Sequence, residues 1–263
     1  MDLKIKNKVA IVCGSSKGIG FAIAKELVKE GAYVMLNSRN EFEANKASKE
    51  LNISYNSRAA FTCGDLSEYS TCKNLVNSTI EKWGTIDILI NNTGGPPPKN
   101  FLDTSEEDWD KCFKNILMSS IRLSKLVTPY MIKNNWGRII TIGSTLMKEP
   151  SAEMVLSCTM RSAMVSYMKS ISYVLAPHGI TVNTVSTGGV NTDRLTSLFT
   201  KIARDEEVDL TKKLSEAAAS IPVKRFASPE EFAQGILFLA SANSSYITGE
   251  CMAIDGGLTK SAF

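Results

Sequence analysis

One stretch, KVAIVCGSSKGIGFAIAKELVKEG (residues 8–31), constrains this chain more than any other. An apolar run ends on glycine, the turn GSSKGIG follows, and the next residues carry helix periodicity to a glycine stop. A strand turning this tightly into a helix aims backbone N–H groups and a helix N-terminus at one spot, which suits a diphosphate. Gly14, Gly18 and Gly20 permit the turn and the close approach of a ligand, with Ser16, Lys17 and Ile19 between them. Glycines alone are a weak signal; their place between strand and helix makes a dinucleotide site the expectation. The competing reading is a turn that only packs helix on strand.

The alternation continues along the chain. Strands are expected at residues 32–39, 58–66, 86–95, 136–144, 180–189 and 251–257, separated by amphipathic helical stretches. They are short continuous apolar runs, as expected of strands covered on both faces. The pattern predicts an α/β fold: one domain, residues 1–263, with a doubly wound parallel sheet of about seven strands flanked by helices. Residues 106–133 read as two helices with a break near Asn115. Residues 190–219 are charged and helical, poor in large apolar residues outside LTSLF, and follow a cofactor turn; a mobile substrate lid is expected there.

Charge and cysteine usage exclude several classes. A net charge of +3 is near neutral and carries no nucleic-acid signature. The six cysteines are scattered without ligand-like spacing, which suits a reducing compartment. Cys13 and Cys63 read as buried small hydrophobes. His178 is the only histidine, so a His-rich metal site is excluded and no metal is expected. No signal peptide and no membrane-length apolar run are visible; the expectation is a cytoplasmic, soluble chain with no membrane partner.

The strand ends refine the cofactor. At the end of strand two, Asn37–Asn40 offer no carboxylate for a ribose 2′-OH, whereas Arg39 suits a 2′-phosphate and Lys17 adds a second cation. Both favour NADP over NAD. Asp65 with Leu66 ends strand three, where a carboxylate accepts from an adenine amino group, and Asn91 with Gly94 ends strand four, where the cofactor crosses the sheet edge.

With these features the chain resembles the short-chain dehydrogenase/reductase family, essentially end to end. The likeness rests on GSSKGIG (14–20), GDL (64–66), NNTG (91–94), Asn115, IITIGS (139–144), NTVSTGG (183–189) and SSYITGECMAIDGG (244–257). It implies a Rossmann fold, a nicotinamide cofactor and a small-molecule substrate. Gly188 and Val190 would lie at the nicotinamide, with Thr192 near its carboxamide or the phosphates. Thr93 replaces the family's usual alanine, and Thr187 its usual proline. The C-terminal segment resembles members that pack copies together there, which implies a homotetramer, or a homodimer.

The resemblance also implies catalytic positions. Asn115 matches the asparagine that holds a proton-relay water, and Ser144 the serine that hydrogen-bonds the substrate oxygen. At the family's spacing the tyrosine position falls on Ser157 and the lysine position, one helical turn on, falls on Arg161. A serine hydroxyl is a poor proton donor near neutral pH, and arginine stays charged. Ser157 and Arg161 share a helix face and make a polar, cationic pocket floor rather than an acid–base pair. Arg161 also suits the nicotinamide ribose hydroxyls. Lys148, Glu149 or water is then the proton source. Losing a positioned acid costs about 10²–10⁴-fold in rate, which hydride transfer in a well-oriented complex can survive.

Three readings stay open. The first is an NADPH-preferring oxidoreductase interconverting carbonyl and alcohol, on a 3-oxoacyl thioester or a sugar. The others are a catalytically silent cofactor binder and a reductase of an activated double bond.

Overall fold

Val9–Val12 is buried at every position, and so are Ile88–Asn91 and Gly137–Ile142. Strands with both faces covered have no solvent side, so their sequences carry no polar alternation. The computed structural model describes residues 2–262. Among them, seven parallel strands form one sheet in the order β3-β2-β1-β4-β5-β6-β7. The strands are β1 (Val9–Val12), β2 (Tyr33–Ser38), β3 (Ala59–Cys63), β4 (Ile88–Asn91), β5 (Gly137–Ile142), β6 (Ile180–Thr187) and β7 (Cys251–Ile254).

Two apolar layers sandwich the sheet. Helices α1 (Gly18–Lys29), α2 (Glu41–Ser54) and α9 (Pro229–Ala240) cover one face; α1 packs along α9, and Gln234 Nε2 donates to Glu26 Oε2. The other face carries α3 (Tyr69–Trp83), α5 (Ser119–Lys133) and α6 (Val155–Leu175), with α4 (Glu106–Cys112) beside α6. Capping boxes start α4, from Ser105 to Asp108, and α9, from Ser228 to Glu231 with Pro229 at the first helical position.

Two sequence expectations are corrected here. The break near Asn115 is instead a π-helical stretch, Phe113–Met118, joining α4 and α5 without interruption. No glycine or proline lies in that stretch to end a helix, and a wider turn absorbs the mismatch. Cys63 is exposed rather than buried, because it is the last residue of β3 and emerges past the helix layer; Cys13 is buried as expected. Residues 193–219 fold into α7 (Asp193–Asp205) and α8 (Leu210–Ser220), anchored by buried Ala203 and by Phe199 tilted against Phe226 at 6.1 Å between ring centroids.

The sheet order reverses between β1 and β4. A crevice opens there, outside the C-terminal strand ends, where open α/β sheets bind ligands.

Candidate active site

The crevice is built from the glycine turn upward. Gly14 and Gly18 have φ of +54° and +59°, values that favour glycine. A Cβ on Gly20 would stand 2.2 Å from the Gly14 carbonyl oxygen, so only glycine lets α1 start this close to β1. Asn92 Nδ2 donates to the carbonyls of Cys13 and Gly14 at 3.1 and 3.2 Å, tying the turn to the end of β4. Ser15 Oγ donates to the Val12 carbonyl at 2.6 Å and accepts from Asn37 N–H.

The N-terminus of α1 is left open. Its cap residue Lys17 is extended, makes no side-chain cap, and no acid sits in the first turn. The positive end of the helix therefore faces the crevice uncompensated. Ser16 Oγ and Ser38 Oγ lie 3.0 Å apart, and Ile19 is partly buried beside them. Arg39 is exposed at the end of β2, 4.0 Å from the Asp65 carboxylate, which also accepts from Ser67 N–H; Leu66 beside it is buried.

Further polar atoms line the strand ends. Asn91 Nδ2 donates to Thr141 Oγ1, while its buried Oδ1 has no partner among the described residues; nor do Ser186 Oγ and Thr187 Oγ1. No atom comes within 4 Å of a Cβ built on Gly94. After β6, Gly188 N–H donates to the Ile254 carbonyl, and Val190 bridges to Ala227. Thr192 caps α7, and its Cγ2 would stand 3.6 Å from a Cβ on Gly18. The open helix end, the glycine cradle and the orphaned strand-end atoms fit a dinucleotide laid across the crevice.

The reaction positions converge on one side of it. Asn115 lies in the π-helical stretch, its Nδ2 3.5 Å from the Gly94 carbonyl. Ser144 opens a short 3₁₀ turn; its Oγ accepts from Leu146 N–H at 3.3 Å, leaving its proton to donate. Ser157 and Arg161 lie in the first half of α6 and are 3% and 6% exposed. The Ser157 hydroxyl makes no hydrogen bond with another described residue. Arg161 donates to the carbonyls of Ile142 at 2.9 Å and Thr93 at 3.4 Å, and no described carboxylate pairs with it.

This buried cation is electrostatically costly. Burial pulls the Arg161 guanidinium down to about 10, and nearby Arg194 pushes the same way. Cys112 gives no counter-charge, because burial pushes its thiol up to about 11. Arg161 remains a cation at neutral pH.

Arg194 is the residue that sequence reasoning missed. It sits in the first turn of α7 and its Nη2 donates to the carbonyls of Gly95 at 3.0 Å and Pro96 at 3.2 Å. A Cβ on Gly95 would stand 3.4 Å from Arg194 Nη2 and 3.8 Å from Arg161 Nη2, so both guanidinium groups flank this one backbone position. The available signal was a cation just after a helix cap, where the macrodipole disfavours it. Glu149, a candidate proton source, is occupied elsewhere: its Oε1 accepts from the N–H groups of Lys260 and Ser261. His178 lies just before β6, at the opposite edge of the sheet, and no metal-binding group of His, Cys, Asp and Glu occurs among the described residues.

Residues 14–259 match the family model described as enoyl-(acyl carrier protein) reductase. The chain belongs to the short-chain dehydrogenase/reductase family, a class of NAD(P)-dependent oxidoreductases. It is 34% identical to the NADPH-dependent reductase BacG of Bacillus subtilis, over 98% of this chain and 100% of that one. It is also 34% identical to the 3-oxoacyl-[acyl-carrier-protein] reductase FabG of Aquifex aeolicus, with the same coverage. Among solved structures, the L-sorbose reductase of Gluconobacter frateurii, complexed with NADPH and L-sorbose, superposes with a TM-score of 0.95 at 29% identity, over 99% of this chain and 100% of that one. These relatives are named as reductases.

Proposed function

We propose that this chain is an NADPH-preferring reductase converting a carbonyl to an alcohol, on substrates of the 3-oxoacyl-thioester or sugar type. The observation that carries the reading is Arg161, a buried cation with no described carboxylate partner, bonded to the carbonyl of Ile142, the last residue of β5 and two positions before Ser144. When bound, the cofactor supplies the hydride. Gly14, Ser16, Gly18, Ile19 and Gly20 hold its diphosphate, with Arg39 and Lys17 on the 2′-phosphate. Asp65, Leu66, Asn91 and Gly94 line the adenine side and the crossing; Gly188, Val190 and Thr192 enclose the nicotinamide.

The chain's own groups then stabilise charge. Ser144 and Ser157 donate hydrogen bonds to the substrate oxygen, and Arg161 faces the negative charge that grows there. Two carbonyls hold the guanidinium in place, so little reorganisation is needed as the reaction proceeds. The proton that completes the alcohol comes from water ordered at Asn115, because neither Ser157 nor Arg161 releases one near neutral pH. The same cationic pocket would hold an enolate oxygen while water protonates carbon, which favours reduction of an activated double bond as the second reading.

The reading further makes α7 and α8 a substrate lid. It joins copies through the β7 side, where Tyr246, Tyr173 and Val174 stand exposed, into a homotetramer in the cytoplasm. No helix among the described residues is long and apolar enough to cross a membrane. Fluorescence titration tests the cofactor assignment: NADPH should bind more tightly than NADH, and Arg39→Asp should reverse the order. Equal affinities in the native protein would refute it.

A further inference from the structure

Two arginines come together in this crevice without an acid between them. Arg161 enters from α6 and Arg194 from α7, and both guanidinium groups come within 4 Å of the point where a Cβ on Gly95 would stand. Like charges repel, more strongly where water is scarce. Arg194 also stands in the first turn of a helix, where the macrodipole opposes a cation. The backbone carbonyls that each arginine bonds are neutral and leave both charges uncompensated, so a negative partner from outside the chain fits between them.

The local acids do not supply it. Asp193, beside Arg194, forms no ion pair with either arginine, and Glu149 is bonded to backbone N–H groups of residues 260 and 261. Donors, meanwhile, are left over. Arg161 spends Nη1 on Ile142 and Nη2 on Thr93, and Arg194 spends Nη2 on Gly95 and Pro96. A guanidinium carries five N–H donors, so each keeps several unclaimed by any described residue. The Ser157 hydroxyl is a second, independent sign of a ligand: it is 3% exposed, lies one turn before Arg161, and has no described partner.

We infer that Arg161 and Arg194 form an anion clamp for a carboxylate that the substrate carries beside its reducible group, so that the natural substrate is an oxo acid rather than a neutral ketone or sugar. This rests on the reading of the crevice as a carbonyl-reducing site and narrows it. A carboxylate matches the planar donor fork of arginine with two parallel hydrogen bonds. Held there, it brings the neighbouring carbonyl oxygen toward Ser144 and Ser157. Arg194 is contributed by α7, which its bonds to the Gly95 and Pro96 carbonyls already hold at the crevice where the anion would bind.

The test pairs pyruvate, acetoacetate and levulinate with their methyl esters. Each is titrated by calorimetry onto the NADP⁺-saturated protein and onto the cofactor-free protein, and NADPH consumption gives kcat and KM. At least one acid should bind about tenfold more tightly than its ester, the scale of a charge-assisted contact. Arg194→Gln keeps a donor for the Gly95 carbonyl but removes the charge; it should bring that ratio to about one. A mere latch would weaken acid and ester alike. Arg161→Lys should lower the ratio as well, whereas an arginine serving only the ribose would change NADPH affinity and leave the ratio alone. No preference in any pair, no binding of any acid, or a ratio unmoved by both variants would overturn the clamp. Inorganic phosphate binding more tightly than every acid would overturn the carboxylate assignment. If NADPH fails to bind while the anion preference survives in the cofactor-free protein, the reductase reading falls and the clamp stands.

Discussion

Replacing Arg161 by methionine separates what this side chain does for the reaction from what it does for the fold. Burial pulls the guanidinium from its ordinary value down to about 10, equivalent to about 3 kcal/mol of disfavour for the cation. The folded-state value lies below the unfolded one, so this penalty is fully present below about pH 10 and is relieved as pH climbs from there toward the ordinary arginine value. Methionine removes the penalty and keeps a flexible chain of similar reach. It also strips the donor from the carbonyls of Ile142 and Thr93, at about 1–3 kcal/mol each. The terms offset to a net loss near 1 kcal/mol, which shifts Tm by about 2–4 °C in a domain of this size. The reaction should suffer more: a lost donor to a developing oxyanion costs about 10²–10³ in kcat. Thermal unfolding, together with NADPH absorbance on the best oxo substrate, reads both effects from one preparation. Wild-type kcat in Arg161→Met would refute the catalytic argument, and a fall in Tm beyond about 10 °C would show a structural residue instead.

Three further outcomes follow from the geometry. Ser157→Tyr/Arg161→Lys should raise reduction of simple neutral ketones only as the double change, since each residue needs the other; a gain from Ser157→Tyr alone, measured by NADPH absorbance, would contradict this. The single-turnover reduction rate should stay flat between about pH 6 and 9 and fall toward pH 10, where Arg161 loses its proton; a midpoint inside the flat range would reveal an acid other than water. Arg138→Met should lower Tm more than Arg161→Met with NADPH binding retained, because Arg138 serves the carbonyls of Ser241, Gly137 and Gly179 and lies 4.4 Å from the Trp136 ring; an equal or smaller loss would undo that comparison.

The sheet was legible because its physics is local. Short apolar runs such as VAIV and ILIN, bounded by turn residues, suit strands covered on both faces, and the turn GSSKGIG names its own conformation. Asn115 was placed correctly along the chain, but composition does not distinguish a helix break from a π-helical turn. Cys63 was misjudged because an apolar run does not say which residue is its last. Glu149 and Arg194 were hidden for another reason: their partners lie about a hundred positions away, at Lys260, Ser261, Gly95 and Pro96. Periodicity reports which face of an element is buried, not which loop comes to lie against it.

The packing of α1 along α9 bears on how this chain is made. Helix α1 exposes an apolar flank until α9 arrives, and Glu26 waits 208 positions for Gln234. At about 5–20 residues per second, a ribosome leaves that flank uncovered for roughly 10–40 s. Sequences that slow translation between these helices would lengthen that interval and favour aggregation of the nascent chain. Synonymous codon choice upstream of Pro229 would then affect the yield of folded protein while leaving every residue unchanged.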